Sequence, residues 1–226
     1  PTVNEAGENE PVITGHADGL ITINIEEADS DVREATRVRF HEPHRTLIGH
    51  MRHEVGHYID WAYAYRFDRE RFIEVFDDPM QVDYQQAMSH YYENGPSPDW
   101  ELDRVSAYAS MHPWEDFAET INAYLDMMAI IETANDQGLT SIDTGWATPF
   151  SEIALEALRL SVIISEFNGD LGLRPLLPEK ISNPVLEKLD YVHSLRRPSL
   201  QQLAARALGK ETAAQEPVAK ETATVA

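Results

Sequence analysis

His53-Glu54-Val55-Gly56-His57 constrains this chain more than any other stretch, because its chemistry makes sense only on a helix. Residues four apart share a helix face, so His53 and His57 can bring one imidazole nitrogen each to a single metal ion. Glu54 is offset by one position and stands beside that ion, where it can hold and deprotonate a water. Ile48, Met51, Val55, Tyr58 and Ile59 supply apolar positions around the same helix, which is therefore expected to be buried over much of its circumference. Two histidines and a glutamate inside such an element are costly unless bonded to something. A solvated helix can carry the same letters by chance; the apolar neighbours argue against it.

Composition narrows what surrounds this helix. The 226 residues suffice for one domain with a sizeable core, and no apolar run approaches membrane-spanning length. The chain contains no cysteine, which excludes disulfides, a thiol nucleophile and a thiolate metal site. A metal must be held by His, Asp or Glu. With 39 acidic against 18 basic residues, the formal charge of −21 leaves no surplus of Lys and Arg to replace the counterions of a nucleic acid. Neither a nucleic acid nor a membrane is expected as a partner. An acidic surface suits a soluble cytoplasmic protein, and the start Pro1-Thr2-Val3-Asn4-Glu5 shows no secretory pattern.

Along the chain, residues 1–10 read as an irregular lead-in, 11–208 as one domain and 209–226 as a low-complexity tail. The tail should be disordered by composition unless it docks on its own or a neighbouring molecule. Residues 19–25 alternate apolar and polar and predict a strand, with 11–14 as its partner across a loop at 15–19. A short helix is expected from near residue 29 or 31. The histidine helix starts at Pro43 or after Thr46 and runs to about Phe67. Further helices are expected at 71–76, 82–93, 113–134, 152–168 and 184–195, with a weaker one after Pro198; Asn94-Gly95-Pro96-Ser97-Pro98 breaks the pattern. The fold class is α+β, mostly α. Phe67, Phe72, Phe76, Trp100 and Trp114 are assigned to the core.

A catalytic zinc commonly has three protein ligands and one open position. Glu115 and Glu119 lie four apart on a second helix opened by Pro113, so one can bind metal while the other accepts a hydrogen bond from a ligating histidine. An acid in a first helical turn also favours the dipole without any metal. Spacing alone leaves Glu115, Glu119 and, last, Asp116 as candidates.

The blocks at 49–58 and 106–120 together resemble a family of bacterial zinc-binding metallopeptidases, marked by His53-Glu54-Val55-Gly56-His57 and by His112-Pro113-Trp114-Glu115-Asp116-Phe117-Ala118-Glu119. The likeness is dense over residues 15–134 and looser through 184–197. A zinc ribbon often precedes the peptidase part in this group, and this cysteine-free chain has none. The second block also resembles the ligand helix of lethal-factor-like gluzincins. That resemblance implies a zincin-like fold, Glu115 as the third zinc ligand, Glu119 as the acid behind a histidine, and Tyr108 as a catalytic tyrosine seven residues before the ligand.

The expected chemistry follows. Zn2+ held by His53, His57 and Glu115 activates a water for attack on a peptide bond of a peptide or protein substrate. Glu54 acts as general base. Tyr108, or failing it His112, faces the developing oxyanion; the other reading of His112 is a cap or surface histidine beside Pro113. Leu20, Ile21, Thr22 and Ile23 form a strand edge on which an extended peptide aligns, and Trp114 lines the cleft. Asp60 orients an imidazole or stays exposed; His50 is a packed or exposed helix residue, or a cleft wall. The alternatives are a catalytically silent or latent zincin that binds or regulates, and a metal-dependent hydrolase of a non-peptide amide.

Overall fold

The structure is a computed structural model, and it describes residues 2–3, 9–10, 12, 14–29, 46–173, 175–176 and 181–199. The histidine helix, α1, spans Leu47–Ala62. Thr46 settles its start by accepting the Gly49 N–H on its Oγ1 at 2.9 Å. The expected run to Phe67 is interrupted: Tyr63 (φ −160°, ψ −25°) leaves the helical region, and Ala64–Phe67 forms a separate turn, α2. Then come α3 (Arg69–Phe76), α4 (Tyr84–Asn94), α5 (Pro113–Asp136), α6 (Phe150–Asp170) and α7 (Asn183–Ser194). A 3-10 turn at Tyr108–Ser110 leads into α5. Each of α4, α5 and α7 opens on a side-chain cap: Asp83, His112 and Ser182.

The long helix α5 is the spine. It packs along α1 and also meets the 3-10 turn, α3, α6 and α7. Its Phe117 lies in an aromatic knot with Phe72, Phe76 and Tyr191, ring centres 5.2–6.5 Å apart, and all four are buried. Burial of such rings dominates core energetics. Phe67, Trp100 and Trp114 are only half-buried.

Gly56 lets α1 approach α5 closely: a Cβ there would lie 2.7 Å from the Ala118 Cα. The buried face of α1 carries Gly49, His53, Glu54, Gly56 and Ala62. The expectation of apolar burial around the helix fails at its start, where Ile48 is 59 % exposed. The polar residues are what the fold puts inside.

The β-structure differs from the sequence-based expectation. β1 (Thr2–Val3) pairs antiparallel with β2 (Asn9–Glu10), within the stretch read as irregular. The second pair is β3 (Gly15–Ala17) with β4 (Leu20–Thr22), so the strand is shorter than 19–25 and its partner is not 11–14. The tight turn at Asp18-Gly19 decides this, both residues having positive φ (49° and 82°). The hairpin sits on α1, with the His16 ring against Tyr58 and Trp61 at 6.0 Å each. The helix expected from near residue 29, the tail and most of the helix after Pro198 lie outside the described residues.

Candidate metal centre

His53 and His57 leave α1 one turn apart, and Glu115 meets them from the first turn of α5. His53 Nε2 lies 3.0 Å from His57 Nε2 and 3.1 Å from Glu115 Oε2, and His57 Nε2 lies 3.4 Å from the same oxygen. Ligands at zinc bond lengths of about 2.0–2.1 Å in a tetrahedron are about 3.3–3.4 Å apart, so this triangle fits one ion. His53 Nδ1 donates to Glu119 Oε1 at 2.7 Å, because a carboxylate can only accept. With Nδ1 engaged there, the ring presents Nε2 to His57 and Glu115. Glu115 Oε2 is buried with no hydrogen bond of good geometry. Donor atoms that converge on one buried point could hold a metal ion there.

Burial pushes the Glu115 carboxyl up, but the imidazoles of His53 and His57 outweigh it and hold it well below the usual carboxylate range. Burial pushes His53 down, yet Glu115 and Glu119 raise it well above an ordinary imidazole. Buried together, the imidazole and the carboxylates favour each other's charged forms.

Around the triangle, Glu119 Oε2 accepts from Ser106 Oγ at 2.6 Å, which fixes the carboxylate that fixes His53. Tyr84 donates to Glu115 Oε1 at 2.8 Å. Glu54 is buried; its Oε1 lies 3.3 Å from His50 Nε2 and its Oε2 has no hydrogen-bond partner among the described residues. Burial raises this carboxyl, but the His50 hydrogen bond and the imidazoles of His53 and His57 outweigh it, so Glu54 titrates below its ordinary value. His50 is thus the neighbour of the proposed base. The Tyr108 ring stands 6.0 Å from that of His53.

His112 takes the capping role, and Asp60 neither orients an imidazole nor lies exposed. His112 accepts the Trp114 N–H on Nδ1 at 3.1 Å and donates from Nε2 to the Val82 carbonyl at 3.2 Å. Both ring nitrogens are spent on backbone, so it caps α5 and has no donor left for an oxyanion. Asp60 makes no hydrogen bond to an imidazole among the described residues; it accepts from the Tyr65 backbone, and its Oδ1 is buried without a partner. Asp116 turns away from the triangle to a buried ion pair with Lys188 at 2.7 Å, and Arg104 Nε approaches the same oxygen at 3.3 Å. Trp114 stacks near His112 and Tyr84, ring centres at 4.9 and 5.9 Å. Leu20 and Ile23 are exposed, Ile21 is half-buried, and β4 has one edge without a strand partner among the described residues.

Tyr84, Ser106 and Lys188 were not singled out from the sequence. Ser106 stands at the head of the block quoted for the resemblance, but nothing in the letters marks Tyr84, which reaches Glu115 from α4, or Lys188, which reaches Asp116 from α7.

A mostly helical chain that brings two histidines of His-Glu-x-x-His and a distant glutamate to one point has the donor set of a zinc-binding protein. The chain belongs to the family described as "Putative zinc-binding metallo-peptidase", whose model matches residues 2–195. An uncharacterised protein of Mycobacterium bovis and two of Mycobacterium tuberculosis are each 38 % identical to it over 199 residues, covering 83 % of this chain and 57 % of theirs. The chain thus spans less than two-thirds of the length of these relatives. No solved structure matches it. No helix among the described residues is long and apolar enough to cross a membrane.

Proposed function

We propose that the protein is a gluzincin-like zinc peptidase. The observation that carries this reading is the convergence of His53 Nε2, His57 Nε2 and Glu115 Oε2 within 3.0–3.4 Å of one another, next to a buried glutamate with a free oxygen. Zinc, when bound there, supplies Lewis acidity that lowers the pKa of a water and polarises a carbonyl.

The chain's own residues do the rest. Glu54 Oε2 takes the proton of the attacking water and passes it to the leaving nitrogen. His50, hydrogen-bonded to Oε1, keeps the carboxylate from rotating. Tyr108 donates its hydroxyl hydrogen to the developing oxyanion. The unpaired edge of β4, resting on the histidine helix, aligns an extended peptide through backbone hydrogen bonds, and Trp114 borders the cleft.

The test compares cleavage of a peptide library by the zinc-loaded protein and by Glu54→Gln, with zinc content measured on both. Retained zinc with turnover reduced by at least a hundredfold is the expected result. Equal cleavage by the two proteins would sink the reading.

A further inference from the structure

We infer that Tyr84 is a positioning residue that restricts Glu115 to ligation through one oxygen. The inference rests on the metal reading above and concerns a residue outside the motifs that define it.

The Tyr84 hydroxyl donates to Glu115 Oε1 at 2.8 Å, while Oε2 alone faces the two imidazoles. A carboxylate free to offer both oxygens would chelate, fill the open coordination position and displace the water the reaction needs.

The fold fixes Tyr84 for this task. It is the first residue of α4, whose cap Asp83 accepts the Gln86 N–H at 2.8 Å. Its ring packs against His112 and Trp114, centroids at 5.1 and 5.9 Å. His112 in turn bonds the Val82 carbonyl and the Trp114 N–H, so one imidazole ties the approach to α4 to the first turn of α5. The registers of Tyr84 and Glu115 are set by the same side chain.

Tyr84→Phe retains the ring and removes only the hydroxyl. The full chain is loaded with Co2+ in place of zinc, its ligand-field absorption recorded, and zinc affinity measured by chelator competition. The expected result is a weaker ligand-field band, as coordination number rises, and a change in zinc affinity of roughly tenfold or more. Gln85→Ala, an exposed site on the same helix, should match wild type. Tyr108→Phe should leave the cobalt spectrum unchanged, which separates the Glu115 contact from a general loss of hydroxyls. A Tyr84→Phe protein with the wild-type cobalt spectrum and affinity within about twofold overturns the inference while leaving the metal reading intact. A wild-type chain that binds neither ion overturns both.

Discussion

Gly56 and Ala118 touch backbone to backbone: a Cβ on the glycine would sit 2.7 Å from the alanine Cα and 3.1 Å from its carbonyl oxygen. The contact lies one residue before His57 and three after Glu115, so the spacing of the two helices sets the spacing of the ligands. Gly56→Ala gains helix propensity of about 1 kcal/mol but clashes with atoms that cannot rotate away. We expect a net loss of about 1–2 kcal/mol in denaturant unfolding and a larger proportional loss of zinc affinity. A stabilised variant with full zinc affinity would show that the helices can part without consequence.

The buried Lys188–Asp116 pair predicts a non-additive pair of mutations. Lys188 Nζ also donates to the Asp103 carbonyl at 2.5 Å, joining α7, the loop before Ser106 and the first turn of α5. Lys188→Met leaves a fully buried carboxylate with Arg104 as its remaining cation and should cost about 2–4 kcal/mol, read by urea unfolding. Adding Asp116→Leu should recover most of that loss. If the double variant is as unstable as the sum of the singles, the pair acts independently and the argument fails.

Glu119 should matter through His53. Glu119→Gln weakens the acceptor that fixes the His53 tautomer, so zinc affinity should drop roughly 10–100-fold with little loss of fold. Ser106→Ala, one step further out, should have the same sign and a smaller effect. Chelator competition measures both, and a larger effect at Ser106 than at Glu119 would contradict this order.

Asp60 predicts a pH dependence. Burial raises its carboxyl from 3.8 to about 6 against weaker opposing effects of the Tyr65 N–H and His57. The folded state therefore favours the protonated form. That contribution is fully present below 3.8 and lost as pH rises through 6, leaving a penalty of at most about 3 kcal/mol at higher pH. Metal-free Asp60→Asn should melt above wild type at pH 8 and together with it at pH 4. Equal melting temperatures at both pH values would show that Asp60 is solvated.

What could be read from the sequence was local. The spacing of His53, Glu54 and His57, the start of α5 at Pro113 and the breaker at Gly95 are each set within one or two helical turns. Choosing Glu115 over Glu119 and Asp116 needed a resemblance, because all three share a turn or two of helix and differ only in what faces them. The structure separates them: Glu115 to the imidazoles, Glu119 to Ser106 and His53, Asp116 to Lys188. The hairpin was misplaced although its turn was legible, since Asp18-Gly19 suits a two-residue turn with both φ positive. Tyr84 could not be found, because a hydroxyl reaching a carboxylate thirty-one positions later depends on the packing of α4 against α5.

The three donors come from helices that are brought side by side only by folding. Occupancy and shape are therefore thermodynamically linked, and an ion present at a hundred times its dissociation constant would add about 2.7 kcal/mol to the resistance to unfolding. Metal scarcity would then shorten the lifetime of the chain against degradation.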